Sequence, residues 1–173
     1  MIKKLRIKLI AASMLSLFLV LLIIMGTVNI LNYREILTDA DNTLSILKDN
    51  DGTFPKRESF HVPEEHGQKP MSPELPYESR YFSVVLSDSG NVVSVDTGKI
   101  AAVNTNTAAE FAQSVFLSGR ERGFMENYRY VRHDKGDQVQ IIFLDCGRDL
   151  STFRSFLFAS GIISLLGLLA VFG

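Results

Sequence analysis

Tryptophan is absent from this 173-residue chain, and cysteine occurs once, at Cys146. One thiol closes no bridge within a chain, so a disulfide-stapled secreted miniprotein is excluded. Proline is confined to a single stretch, where Pro55, Pro63, Pro70, Pro73 and Pro76 make up all five. Acidic residues are missing from both ends, because all 19 fall between Glu35 and Asp149. Charge of either sign is missing from two runs, the 23 residues 9–31 and the 19 residues 155–173. Averages of 46% hydrophobic and 21% charged residues conceal that segregation. Two such runs do not suit a soluble cytosolic enzyme. A net charge of −1 supplies no basic surface for nucleic acid. The residues between the runs suffice for one small domain.

A helix crosses the hydrocarbon core of a bilayer in about 20 apolar residues. The run 9–31 meets that length, and its polar residues are Ser13, Ser16, Thr27 and Asn29. A helix satisfies such hydroxyls on its own carbonyls one turn back. Lys3, Lys4, Arg6 and Lys8 precede the run without an acid, whereas Glu35, Asp39 and Asp41 follow it with only Arg34 among them. Basic flanks stay on the cytoplasmic side. The expectation is a cytoplasmic N-terminus (1–8), a transmembrane helix (9–31) and an extracytoplasmic segment (32–152). A cleaved signal peptide would have an apolar region of roughly 7–15 residues and a small-x-small site. This run is longer, and Ile24-Met-Gly-Thr-Val-Asn29 makes a poor site. Residues 153–173 form a second expected span, because Phe156, Leu157, Phe158, Ile162, Ile163, Leu165 and Leu166 make it apolar all round. No basic flank follows Gly173, so a further cytoplasmic part is expected beyond it.

The segment 32–152 holds 13 basic and 19 acidic residues, a net charge of −6. Such a surface has no general attraction for nucleic acid or anionic lipid and is compatible with a cationic ligand. Ile36, Leu37, Ala40, Leu44 and Leu47 recur every three or four residues. The first helix is therefore expected to continue, amphipathic, through 32–48 and to stop at Asn50-Asp-Gly52. Residues 51–78 carry every proline and read as a disordered loop. From Arg80 the pattern becomes β. Segments 80–86 and 91–96 flank Ser87-Asp-Ser-Gly90 as a hairpin. Thr107-Ala-Ala-Glu110 is a capping box that opens a helix to Ser118, with Gly119 as its stop. Segments 124–132 and 138–145 form a second hairpin around His133-Asp-Lys-Gly-Asp137. Val139-Gln-Ile-Ile-Phe-Leu144 is apolar on both faces, as a central strand should be. The fold class is α+β, an antiparallel sheet over 80–145 with helices against it.

Candidate chemistry is sparse. His61-Val-Pro-Glu-Glu-His66 spaces two histidines five apart with Pro63 between them, which breaks the four-residue spacing of a helical zinc motif. It reads as solvated loop, and no metal or other cofactor is assigned. Cys146 can bridge only to another chain, and it also suits a small residue near a helix start. No Gly-x-Ser-x-Gly or phosphate-cradling loop occurs, and His133 fits a polar turn beside Asp134. No catalytic residue is assigned. The candidate ligand-binding set is the polar residues interleaved with aromatics on strands: Arg80, Tyr81, Tyr128, Arg129, Tyr130 and Asp145. A pocket between sheet and covering loops needs an apolar lining with a few fixed polar groups. Arg80 and Arg129 can each hold a carboxylate by paired N–H bonds, either a ligand's or that of an Asp or Glu in the chain.

The layout of basic N-terminus, span, domain and span, together with Arg80-Tyr-Phe-Ser-Val, Lys99-Ile-Ala-Ala-Val103, Gly123-Phe124, Tyr128-Arg-Tyr130, Ile141-Ile-Phe-Leu-Asp-Cys146 and Arg148-Asp-Leu-Ser-Thr-Phe-Arg-Ser-Phe156, resembles the sensor (input) region of two-component sensor histidine kinases from Gram-positive, clostridia-like bacteria. The resemblance covers most of the chain and is weakest in the Pro-rich loop. It implies a PAS-like (Cache-type) sensor fold, a homodimer in the cell membrane, contact with membrane lipid, an unknown extracellular ligand, and a cytoplasmic kinase that phosphorylates a response regulator. The family's phosphoacceptor lies in an H-E-x-K-T-P-type sequence, a context that His61, His66 and His133 lack, and the ATP-binding glycine motifs are missing too. Two other classes stay open. One is a self-contained two-span membrane adaptor or assembly protein, and the other an extracytoplasmic enzyme, which no visible nucleophile–base pair favours.

Overall fold

A computed structural model describes residues 2–55 and 72–172. His61, His66 and the middle of the Pro-rich loop lie outside the described residues. The chain divides into two compact units, Met1–Leu37 with Asp149–Gly173, and Thr38–Arg148.

The first unit contains most of two helices, α1 (Ile2–Asp49) and α4 (Gly147–Phe172). Both are long and apolar enough to cross a membrane. Leu9, Ile23, Ile24 and Val28 on α1 and Phe156, Phe158, Ile163 and Leu166 on α4 are exposed. That pattern is unfavourable in water and favourable in hydrocarbon. Within α1 the Ser13 hydroxyl donates to the Leu9 carbonyl (3.2 Å), Thr27 to Ile23 (2.8 Å) and the Asn29 amide to Met25 (2.9 Å). These polar groups are satisfied by the helix itself, as a bilayer requires.

The second unit is α+β. Its sheet comprises β1 (Tyr81–Ser87), β2 (Val92–Asp96), β3 (Arg122–Met125), β4 (Tyr128–Lys135) and β5 (Gln138–Asp145). The spatial order is β2-β1-β5-β4-β3, and every pairing is antiparallel. Strand β5 takes the centre, as its two-sided apolarity predicts. On one face Phe82, Val84, Leu86, Val139, Ile141 and Phe143 pack with Ala108, Ala112 and Val115 of α3 (Thr105–Ser118). On the other lie Ser83, Gln140, Ile142 and Val131, with buried Ala40, Thr43, Leu44 and Leu47 from the end of α1. Helix α1 therefore continues one residue past the expected Lys48. It ends in a turn where the Gly52 amide donates to the Leu47 carbonyl (2.7 Å).

Three local readings change. The expected strand 124–132 is two strands, β3 and β4, which reverse at Glu126-Asn127. That turn has no Gly or Pro to announce it, and Glu126 takes the left-handed conformation itself (φ 54°). His133 lies within β4, opposite Gln140, and the chain turns later, at Gly136. Helix α3 starts two residues before the capping box, because the Asn104 side chain accepts from the Thr107 amide (2.8 Å) and makes Asn104 the cap. Its C-terminal stop is Gly119 in the left-handed region (φ 67°), as expected. Near the end of the Pro-rich stretch, Leu75–Glu78 forms a single helical turn, α2.

Candidate functional site

Side chains alternate across a strand, so register decides which candidate residues can meet. Tyr130 pairs with Phe143 and Tyr128 with Asp145, on the face that carries α3. Arg129 pairs with Leu144, and Tyr81 with the same Leu144 from the other side, on the opposite face. The six residues therefore split into two groups and form no common pocket.

The first group sits at the end of β5. Arg80 pairs with Asp145 at 2.9 Å, and the Asp145 amide donates to the Arg80 carbonyl at 2.9 Å. The other Asp145 oxygen, Oδ1, accepts from the Gly147 amide (2.8 Å), and the Cys146 amide donates to the Asn127 carbonyl (3.0 Å). Asp145 thus caps the first turn of α4 while tied to Arg80, the residue just before β1. Tyr128 lies edge-on to Phe82 (5.4 Å between centroids). Its phenol is held above its ordinary pKa by burial, then by the Asp145 and Glu126 charges, with Arg80 opposing. Tyr130 is buried against Phe143 (5.9 Å). Tyr130 belongs to the core and Tyr128 packs against it.

Arg129 forms a two-pronged pair with Asp41 of α1, Nε to Oδ1 at 2.9 Å and Nη2 to Oδ2 at 3.0 Å. Arg122 approaches the same carboxylate (3.7 Å), and its guanidinium reaches Ser45 (3.4 Å). In the turn just past the end of α1, Asp51 pairs with Lys135, and the Asp51 carbonyl accepts from the buried Gln140 amide (3.2 Å). Both candidate arginines therefore hold carboxylates of their own chain. The fork geometry expected for a ligand carboxylate instead joins α1 to the sheet.

Tyr81 lines a cavity. Its volume is about 440 Å³, and its walls are Thr53, Phe54 and Pro55 after α1, Pro73, Pro76 and Tyr77 around α2, and Asp96, Gly98 and Lys99 after β2. That size lies in the range of small-molecule pockets, and its mix of apolar walls with few polar groups is theirs too. The Tyr81 ring meets Phe54 edge-on (5.6 Å, 79°). Burial, then the Asp96 carboxylate, pushes the Tyr81 phenol above its ordinary pKa. Asp96 Oδ1 accepts from the Gly98 amide (2.9 Å), which leaves Oδ2 for another donor. Sequence reasoning found Tyr81 but not Phe54, Tyr77, Asp96 or Lys99, since the cavity exists only once three separate segments meet at β1. The concentration of Pro and aromatic residues at 54–55 and 73–77 was the available signal. Among the described residues, no group of three or more His, Cys, Asp or Glu is placed to hold a metal ion.

No family model, curated protein or solved structure matches this chain.

Proposed function

We propose that the chain is the signal-sensing input module of a two-component sensor histidine kinase, with a PAS-like (Cache-type) domain held as a homodimer between two membrane spans. In this reading the N-terminus is cytoplasmic, residues 32–152 face outward, and the second span drives a cytoplasmic kinase that phosphorylates a response regulator. One observation carries it: both long apolar helices run into the sheet domain without a linker. Helix α1 is continuous from Ile2 to Asp49 and buries Ala40, Leu44 and Leu47 at its far end. Strand β5 ends at Asp145 and α4 begins at Gly147, with Cys146 alone between them. A flexible tether would lose a small shift in the sheet, whereas a continuous helix and a one-residue junction pass it on. The charge asymmetry around 9–31 supports the orientation.

The mechanism is a population shift. A stimulus biases the two states only by its differential affinity for them, and about 5.5 kcal/mol carries a 1:99 mixture to 99:1. Fusion of the chain to a histidine-kinase core gives the test. Two glycines inserted between Cys146 and Gly147 should uncouple stimulus from autophosphorylation while leaving the basal rate. Unchanged signalling in that variant, or a reporter at Ile100 found in the cytosol, sinks the reading.

A further inference from the structure

Gln140 Oε1 is the one buried side-chain polar atom without a partner among the described residues. Gln140 is 5% exposed and sits in the seam between the sheet and the end of α1. Its amide cannot be turned round, because Nε2 donates to the Asp51 carbonyl (3.2 Å) and an oxygen in that place would face another oxygen. Oε1 is therefore fixed as the orphan, and a buried acceptor left unmatched is costly. In register, Gln140 stands between Val85 of β1 and His133 of β4. Directly opposed side chains share a face, with Cβ atoms about 4.5–5.5 Å apart, which is within reach of an imidazole. Val85 has nothing to donate. The half-buried His133 ring makes no hydrogen bond of its own among the described residues. Its charge reaches the Asp51 carboxyl, which is held below its ordinary value by the Lys135 hydrogen bond and charge first, and more weakly by His133. On the same face Lys135 lies on Asp51, while Arg122 and Arg129 lie on Asp41. The last turn of α1 adds Lys48 and Asp49, of opposite sign, and β1 adds Tyr81, Ser83 and Ser87, without a charge. Asp51 is thus the acid that faces His133, and Lys135 the cation that opposes its charge.

We propose that His133 is a proton-operated latch on the end of α1, whose imidazolium donates one N–H to Gln140 Oε1 and the other to the Asp51 carboxylate. A neutral imidazole has a single N–H, so it serves one of these acceptors and turns a lone pair toward the other. The charged ring serves both. The Gln140 contact is the stronger of the two, because it is buried, whereas the Asp51 side chain is exposed and its attraction is screened. Histidine changes charge within the range pH 5 to 8. Acidification across that range therefore draws the turn after α1 onto the sheet, and a rise in pH releases it. The latch stands on this geometry alone. Its meaning for signalling rests on the sensor reading, in which α1 is both the docked helix and the first span.

The experiment uses the whole chain in detergent micelles and reads amide hydrogen exchange over residues 47–52, corrected for the intrinsic effect of pH on exchange. The Gly52 amide, bonded to the Leu47 carbonyl (2.7 Å), is the central reporter. Protection there is expected to rise at least about fivefold between pH 7.5 and pH 5.5. Asp51 stays ionised throughout that window, since its carboxyl is held below 3.8. His133→Asn and His133→Gln each keep an amide donor and remove the titration, and circular dichroism checks their fold. In both, protection should no longer depend on pH. Equal protection of the wild type at the two pH values overturns the latch, as a buried water on Gln140 Oε1 would produce. An undiminished pH response in either variant also overturns it. The kinase fusion separates this result from the sensor reading, with autophosphorylation read as the ratio of wild type to His133→Asn at each pH, so that the kinase's own pH dependence divides out. A pH-dependent protection with a constant ratio upholds the latch and counts against the sensor, whereas flat protection overturns the latch whatever the ratio does.

Discussion

The two faces of the sheet are built from different materials. Toward α3 the contact is apolar throughout its centre, with Phe82 and Phe143 stacked at 4.6 Å and an interplanar angle of 8°. Toward the end of α1 the same strands present Ser83, Gln140, Arg129 and Lys135, met by Thr43 and Asp41 of α1 and by Asp51 in the turn that follows it. Apolar packing is strong but tolerant of small slips, because one methyl group replaces another at little cost. A fork of guanidinium on carboxylate has a single good geometry. The α3 face therefore supplies most of the stability, and the α1 face fixes where along the sheet the helix sits. That division suits a domain whose first helix is also the continuation of an apolar span.

The contrast can be broken hardest at Phe143, which is fully buried under α3. Phe143→Ala should cost about 3–5 kcal/mol, read as a lower urea midpoint for the whole chain in micelles. Arg129→Ala attacks the other face and should cost about 2 kcal/mol. In a double-mutant cycle with Asp41→Ala the two should couple beyond the ~0–1 kcal/mol of exposed ion pairs, because Arg129 is only 16% exposed. A coupling energy near zero would show that the α1 seam is held by Leu44 and Leu47 alone. Gly52→Ala comes next, at about 1–2 kcal/mol. Gly52 lies at φ +82°, and an added Cβ would stand 2.6 Å from Gln140 Nε2, in the middle of the seam. The smallest effect belongs to Lys135→Met. The Lys135 hydrogen bond, then its charge, holds the Asp51 carboxyl below its ordinary value of 3.8. A depressed folded pKa stabilises above the unfolded value, and that stability is lost as pH falls through the folded one. The midpoint difference between wild type and Lys135→Met should therefore be present at neutral pH and close under acid conditions.

Much of this was legible in the sequence where one periodicity or one punctuating residue decided the outcome. The 3.6-residue stripe of Ala40, Leu44 and Leu47 marked which face of α1 is buried, though not against what. Gly119 marked the end of α3, and the unbroken apolar run of β5 placed it in the middle of the sheet. The β3–β4 turn was not legible, because Glu126 and Asn127 replace the usual glycine. The capping box at Thr107 misled because Asn104, three residues earlier, offers an equally good oxygen. For the candidate site, strict alternation along β4 already put Arg129 opposite to Tyr128 and Tyr130. What alternation could not show is which carboxylate each arginine would take. Asp41 lies 88 positions from Arg129, and only the folded chain brings them together.

The junction between β5 and α4 has a practical side. Its one intervening residue, Cys146, is 2% exposed and carries the chain's sole thiol. A maleimide added to the folded chain reacts there only when the strand-to-helix corner opens. The labelling rate, divided by that of the denatured chain, is then a protection factor for that corner alone, obtained without engineering a probe into the molecule.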